Sequence, residues 1–198
     1  RQACLAIRLI FEYLPKVHEN PADLEGREAL LTASFFAGMA FTRTYVGYVH
    51  AFAHTIGGKF GVPHGLANAV LLPHIMRFYL PVCCRRFAAL ARMLHVGTPG
   101  DSDKELATRF VKLLYHLNRQ MEIPARFENF PASAIDEVIE MAFQECHGTY
   151  PVPRYFSHAG ARKLMQAVCA EEEVRVPQPE AAPGQAGEAV REEAKAGV

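Results

Sequence analysis

Apolar residues recur at helical spacing along almost the whole of this 198-residue chain, and that one periodicity restricts it to few folds. Ala3, Leu5, Ala6, Leu9, Ile10 and Tyr13 hold the spacing from the first residues onward. Leu106, Phe110, Leu113, Leu114 and Leu117 make a second clear stripe. Strand signals are nearly absent, with no Asn-Gly hairpin and no sustained alternation bounded by turn residues. The expected fold is an all-α bundle of about eight helices.

Punctuating residues place those helices. Asn20-Pro21-Ala22-Asp23 supplies an N-cap, a proline at the first helical position and an early acid, so a helix is expected from there to about Phe41. The next is expected over about 46–56, stopping at Gly57-Gly58, where left-handed geometry is cheap. An almost wholly apolar helix follows from about 64 to 79, with Pro73 removing one backbone donor inside it. Pro81 is expected to open a separate helix. Ser102 and Glu105 stand at capping-box spacing, and two further helices are expected over about 133–146 and 157–169. Residues 171–198 contain no aromatic side chain and read as a disordered tail behind one helical domain at 1–170.

Composition excludes several function classes. The formal net charge is zero, so no basic surface points to nucleic acid. The longest apolar run, 30–41, is interrupted by Thr32 and Ser34 and is too short to span a bilayer, so no membrane partner is expected. Five cysteines form no CxxC pair, which fits a reducing, cytoplasmic setting without disulfides. The helical pattern is already running at Arg1 with no cap before it, and so reads as the continuation of something longer.

The stretch Gly47-Tyr-Val-His50-Ala-Phe-Ala-His54-Thr-Ile-Gly-Gly-Lys-Phe-Gly-Val-Pro-His64 carries the chemistry. His50 and His54 share a helical face, and His64 arrives after a glycine-rich break and a proline. Neutral imidazole is the commonest metal ligand among side chains, and three converging ones suggest a metal site. The bland alternative is three satisfied, partly buried histidines near a helix end. His74, His95, His116, His147 and His158 are scattered singly and read as packed or surface residues. Other motifs fail. Ala51 stands where a zinc-protease helix needs glutamate, and Phe60 follows Gly58-Lys59 where a phosphate loop needs Ser or Thr. No GxGxxG and no Gly-x-Ser-x-Gly occurs.

Extended through Gly65-Leu-Ala-Asn68-Ala-Val-Leu-Leu-Pro73-His-Ile-Met-Arg-Phe, this run resembles the histidine-rich stretch of the iron-containing alcohol dehydrogenases. The likeness reaches Phe11-Glu-Tyr-Leu-Pro15, Ala37-Gly-Met-Ala-Phe41 and Tyr150-Pro-Val-Pro-Arg154, and covers the chain to about residue 170. It implies the helical, dehydroquinate synthase-like C-terminal domain of that family. There the metal is held by an aspartate and three histidines, and an N-terminal α/β domain binds nicotinamide.

By motif position, His50 and His64 are the implied metal ligands. His54 takes the place of a non-ligating histidine beside nicotinamide and substrate, as proton relay or positioning group. Phe41 takes that of an aromatic facing both, and Arg43 stands where asparagine is frequent. The Asp-x-x-x-His helix that supplies the other two ligands does not occur in this sequence, nor does the cofactor domain.

The resemblance thus implies the metal-binding part of an oxidoreductase that interconverts primary alcohols and aldehydes, incomplete and inactive alone. Iron(II) is the implied ion, though nitrogen and oxygen ligands also suit zinc. NAD or NADP would be bound mainly by the other domain, and a full-length enzyme would be a homo-oligomer. Two alternatives stay open: a truncated relative acting as a helical interaction module, and a small metal-dependent hydrolase using all three histidines.

Overall fold

The computed structural model describes residues 1–170; the tail expected at 171–198 lies outside the described residues. Seven α-helices are present among them: α1 (Gln2–Glu19), α2 (Leu24–Phe41), α3 (Tyr48–Phe60), α4 (His64–Met93), α5 (Asp103–Gln120), α6 (Ile135–Cys146) and α7 (His158–Val168). A single 3-10 turn, Ala132–Ala134, leads into α6, and the described residues contain no strand.

Several boundaries follow from side chains competing for free backbone donors. At α5, Ser102 Oγ accepts from Glu105 N–H while the Glu105 carboxylate accepts from Ser102 N–H, closing the expected capping box. Ser157 Oγ likewise accepts from Gly160 N–H at the start of α7. At α2 the cap is Asp23, not Asn20. Asn20 instead ends α1, and its Oδ1 accepts from Ala22 N–H at 3.2 Å in the turn between the helices.

Two expected breaks do not occur. Helix α3 runs through Gly57 and Gly58 to Phe60 and ends at Gly61, whose φ of 67° is left-handed. Each interior glycine costs about 1 kcal/mol of helix propensity, which the buried face of α3 offsets. Pro81 opens no new helix, because α4 continues across both prolines for 30 residues. Its buried positions Leu71, Ile75, Tyr79, Cys83 and Phe87 keep a spacing of four on either side of Pro81. Burying such side chains gains about 1.5–3 kcal/mol each, against about 3 kcal/mol per interior proline. Packing wins. This continuity is why there are seven α-helices and not eight.

The core lies where α3, α4, α5, α6 and α7 meet, around fully buried Phe52, Ile56, Leu71, Ile75, Ile139 and Met165. Helices α1 and α2 pack chiefly on each other, and α1 also touches α4. Gly26 permits their close crossing: a Cβ there would stand 2.6 Å from Val17 Cγ2. By length and composition α4 could cross a membrane. Here it is the central core helix.

Candidate metal centre

Helix α3 turns Tyr48, Ala51, Phe52, Thr55 and Ile56 inward. At helical spacing this leaves His50 half-buried and His54 exposed on its flank. The left-handed Gly61 then reverses the chain, and Val62-Pro63 delivers His64 as the first residue of α4. The three rings converge. Their centres lie 5.7 Å apart for His50 and His54, 5.4 Å for His50 and His64, and 5.2 Å for His54 and His64.

Two imidazoles on one tetrahedral ion, at about 2.0–2.1 Å per nitrogen, place their ring centres roughly 5–5.5 Å apart. The His50–His64 and His54–His64 spacings both meet that requirement, and the His50–His54 spacing lies just beyond it. Among the described residues, no group of three His, Cys, Asp or Glu side chains could hold a metal ion. An ion held by two of these imidazoles would need further ligands from outside the described residues, and no site built from all three histidines is found among them.

Each ring has its own surroundings. Burial holds His50 below the ordinary histidine value, and repulsion from His54 and His64 adds to this, so the neutral, ligating form is favoured. His64 Nε2 accepts from Asn68 Nδ2 at 3.0 Å, and the same amide donates to the His64 carbonyl at 2.8 Å. Asn68 Oδ1 is buried without a hydrogen-bond partner. An ion taking His64 Nε2 would have to displace the Asn68 amide. His54 Nδ1 donates to Glu145 Oε1 at 2.7 Å, and Tyr150 OH donates to that same oxygen at 2.6 Å. This bond to Glu145, with burial second, pushes the Tyr150 hydroxyl up to about 12.

The model of the Fe-containing alcohol dehydrogenase family, C-terminal part, matches residues 1–169. The chain belongs to that family. It is 38% identical over 125 residues to the NAD-dependent methanol dehydrogenase of Bacillus methanolicus, covering 63% of this chain and 33% of that protein. It is 37% identical over 145 residues to the 1,3-propanediol dehydrogenase of Citrobacter freundii, covering 72% and 38%. The solved structure of an alcohol dehydrogenase from Oenococcus oeni superimposes with a TM-score of 0.78 at 32% identity, covering 83% of this chain and 43% of that one. The chain thus spans between a third and a half of the length of these relatives.

Within this member of the Fe-containing alcohol dehydrogenase family, the residues singled out from sequence do not all come together. Phe41 ends α2 with 51% of its surface exposed and makes no ring contact with the histidines among the described residues. The scattered histidines sit as packing or surface groups: His74 meets the edge of Tyr115, His147 accepts from the Tyr48 hydroxyl, and His158 lies 3.4 Å from Glu140. The sequence motifs point to no role for Glu145, Asn68 or Tyr150. Asn68 had a usable signal, its four-residue spacing from His64. Glu145 had none, being 91 residues from His54.

Proposed function

We propose that this chain is the metal-site domain of an NAD(P)-dependent alcohol dehydrogenase that interconverts small primary alcohols and aldehydes. The observation that carries the reading is the 5.4 Å separation of the His50 and His64 rings across the α3–α4 turn. These two imidazoles would hold a divalent ion, iron(II) by family and zinc by ligand chemistry, together with ligands from a preceding segment. When bound, such an ion polarises an alcohol oxygen as a Lewis acid.

The chain's own residues supply orientation and proton handling. His50 contributes a neutral nitrogen from a half-buried position. His54, anchored through Nδ1 on Glu145, would take the alcohol proton at Nε2, and a nicotinamide, when bound, would supply the hydride acceptor. Phe41, exposed at the end of α2, would gain its cover from the nicotinamide-binding domain. The reading carries with it a cytoplasmic, homo-oligomeric enzyme in its full-length form, with the isolated chain binding metal weakly and turning over nothing.

The test is expression of the complete reading frame that contains this chain, with iron(II) and NAD or NADP supplied. Alcohol-dependent reduction of nicotinamide is expected, and loss of both bound metal and turnover in His50→Ala and His64→Ala. Undiminished metal content in both variants would overturn the ligand assignment. A second reading, a non-catalytic helical interaction module, draws on the exposed apolar face of α2, where Leu31 and Phe35 are 73% and 65% accessible. That reading gains if the complete product shows no turnover with any short alcohol.

A further inference from the structure

The carboxylate beneath the histidines belongs to Glu145, on the last turn of α6. Its Oε1 accepts from both His54 Nδ1 and Tyr150 OH. We propose that Glu145 is a positioning residue that fixes His54 as its Nδ1–H tautomer and leaves Nε2 as that ring's free acceptor. The functional value of this arrangement rests on the dehydrogenase reading; the arrangement itself does not.

A neutral imidazole carries one ring proton, and the partner of one nitrogen decides which nitrogen keeps it. An ionised carboxylate 2.7 Å from Nδ1 accepts only, so it selects the proton at Nδ1. Such a charge-assisted bond is roughly twice as strong as a neutral one, enough to override the weak intrinsic preference between tautomers. The opposite tautomer would hold a proton at Nε2 and could accept none there.

Three contacts keep the geometry from drifting. Tyr150 is bound to the same carboxylate oxygen and restrains its rotation. Helix α6 packs directly on α3, so donor and acceptor stand on neighbouring rigid elements. The His54 ring also stacks on His64 with an interplanar angle of 20°, which limits its swing. The Glu145 side chain is 31% exposed, so the surrounding helices shelter the carboxylate in part.

The experiment uses the full chain labelled with nitrogen-15 histidine and long-range proton–nitrogen correlation spectra, recorded at alkaline pH where imidazole is neutral. His54 signals are identified by their loss in His54→Asn. The expected spectrum has a protonated Nδ1 and a bare Nε2. Glu145→Ala should move most of the population to the Nε2–H form. Glu145→Gln, whose amide carbonyl still accepts from Nδ1, should restore the Nδ1–H form. A wild-type ring protonated at Nε2, or an unchanged tautomer in Glu145→Ala, would overturn the proposal. A purely structural role predicts that the Gln and Ala variants behave alike. The readout is the position of one proton, so a failed alcohol assay bears on the dehydrogenase reading and leaves this result standing.

Discussion

Asn118 supplies the hydrogen bond that Pro73 cannot make. In an uninterrupted helix the Ala69 carbonyl would accept from the backbone N–H of residue 73, which proline lacks. Asn118 Nδ2, reaching across from α5, donates to that carbonyl at 2.7 Å. The orphaned acceptor is satisfied without a break, and α4 continues past it.

This pairing is measurable as a coupling. Asn118→Leu should cost about 1 kcal/mol in urea unfolding, the low end of the range for stranding an acceptor, since this carbonyl is part-buried. In a Pro73→Ala background the restored N–H satisfies Ala69, and the same substitution should cost clearly less. Simple additivity of the two changes, within about 0.3–0.5 kcal/mol, would show that the two residues are not linked in this way.

The two glycines flanking the end of α3 should respond with opposite signs. Gly61 holds φ at 67°, so Gly61→Ala should lower stability by about 1–2 kcal/mol although its Cβ would meet nothing. Gly58 is helical, exposed and equally open, so Gly58→Ala should raise stability by up to about 1 kcal/mol. Paired thermal melts decide it, and two shifts in one direction would contradict the assignment of the turn.

Tyr48 gives the chain a specific alkaline weakness. Its hydroxyl donates to His147 Nε2 at 2.6 Å and accepts from Phe156 N–H at 3.1 Å. Burial pushes it up from 10.0 to about 12. A group raised on folding lends its full stability below its unfolded value and loses it as pH climbs through the folded one. Stability should therefore fall between pH 10.0 and about 12, with Tyr150 acting in the same window and Cys146, raised from 9.0 to about 11, starting earlier. Tyr48→Phe should cost about 1–3 kcal/mol at neutral pH and flatten the alkaline decline. Denaturant midpoints measured across that range test both parts.

Among the histidines, metal content and turnover should separate. On the proposed dehydrogenase reading, His54→Asn in the full-length product should leave bound iron near the unsubstituted level while turnover falls about a hundred- to ten-thousand-fold, the range for losing a general base. Parallel loss of metal would place His54 among the ligands instead.

The capping box at Ser102, the cap at Ser157 and the grouping of His50 with His54 were all readable from the letters, because each joins residues within four positions of one another. Helical class was readable for the same reason, since period and polarity are local properties. Helix α3 runs four residues past the stop that Gly57-Gly58 predicts, and Pro81 starts no helix. In both cases local propensity was outweighed by burial against neighbouring helices, an energy that exists only after those helices assemble. Glu145 beneath His54 and Asn118 beneath Ala69 were invisible for a related reason. Each is a side chain answering an unsatisfied polar group on another helix, 91 and 49 residues away in sequence. The linear order determined which segments coil and where imidazoles could gather. Only the packing of α3, α4, α5 and α6 decided which acceptor each donor meets, because a hydrogen bond needs atoms within about 3 Å and no periodicity encodes that distance.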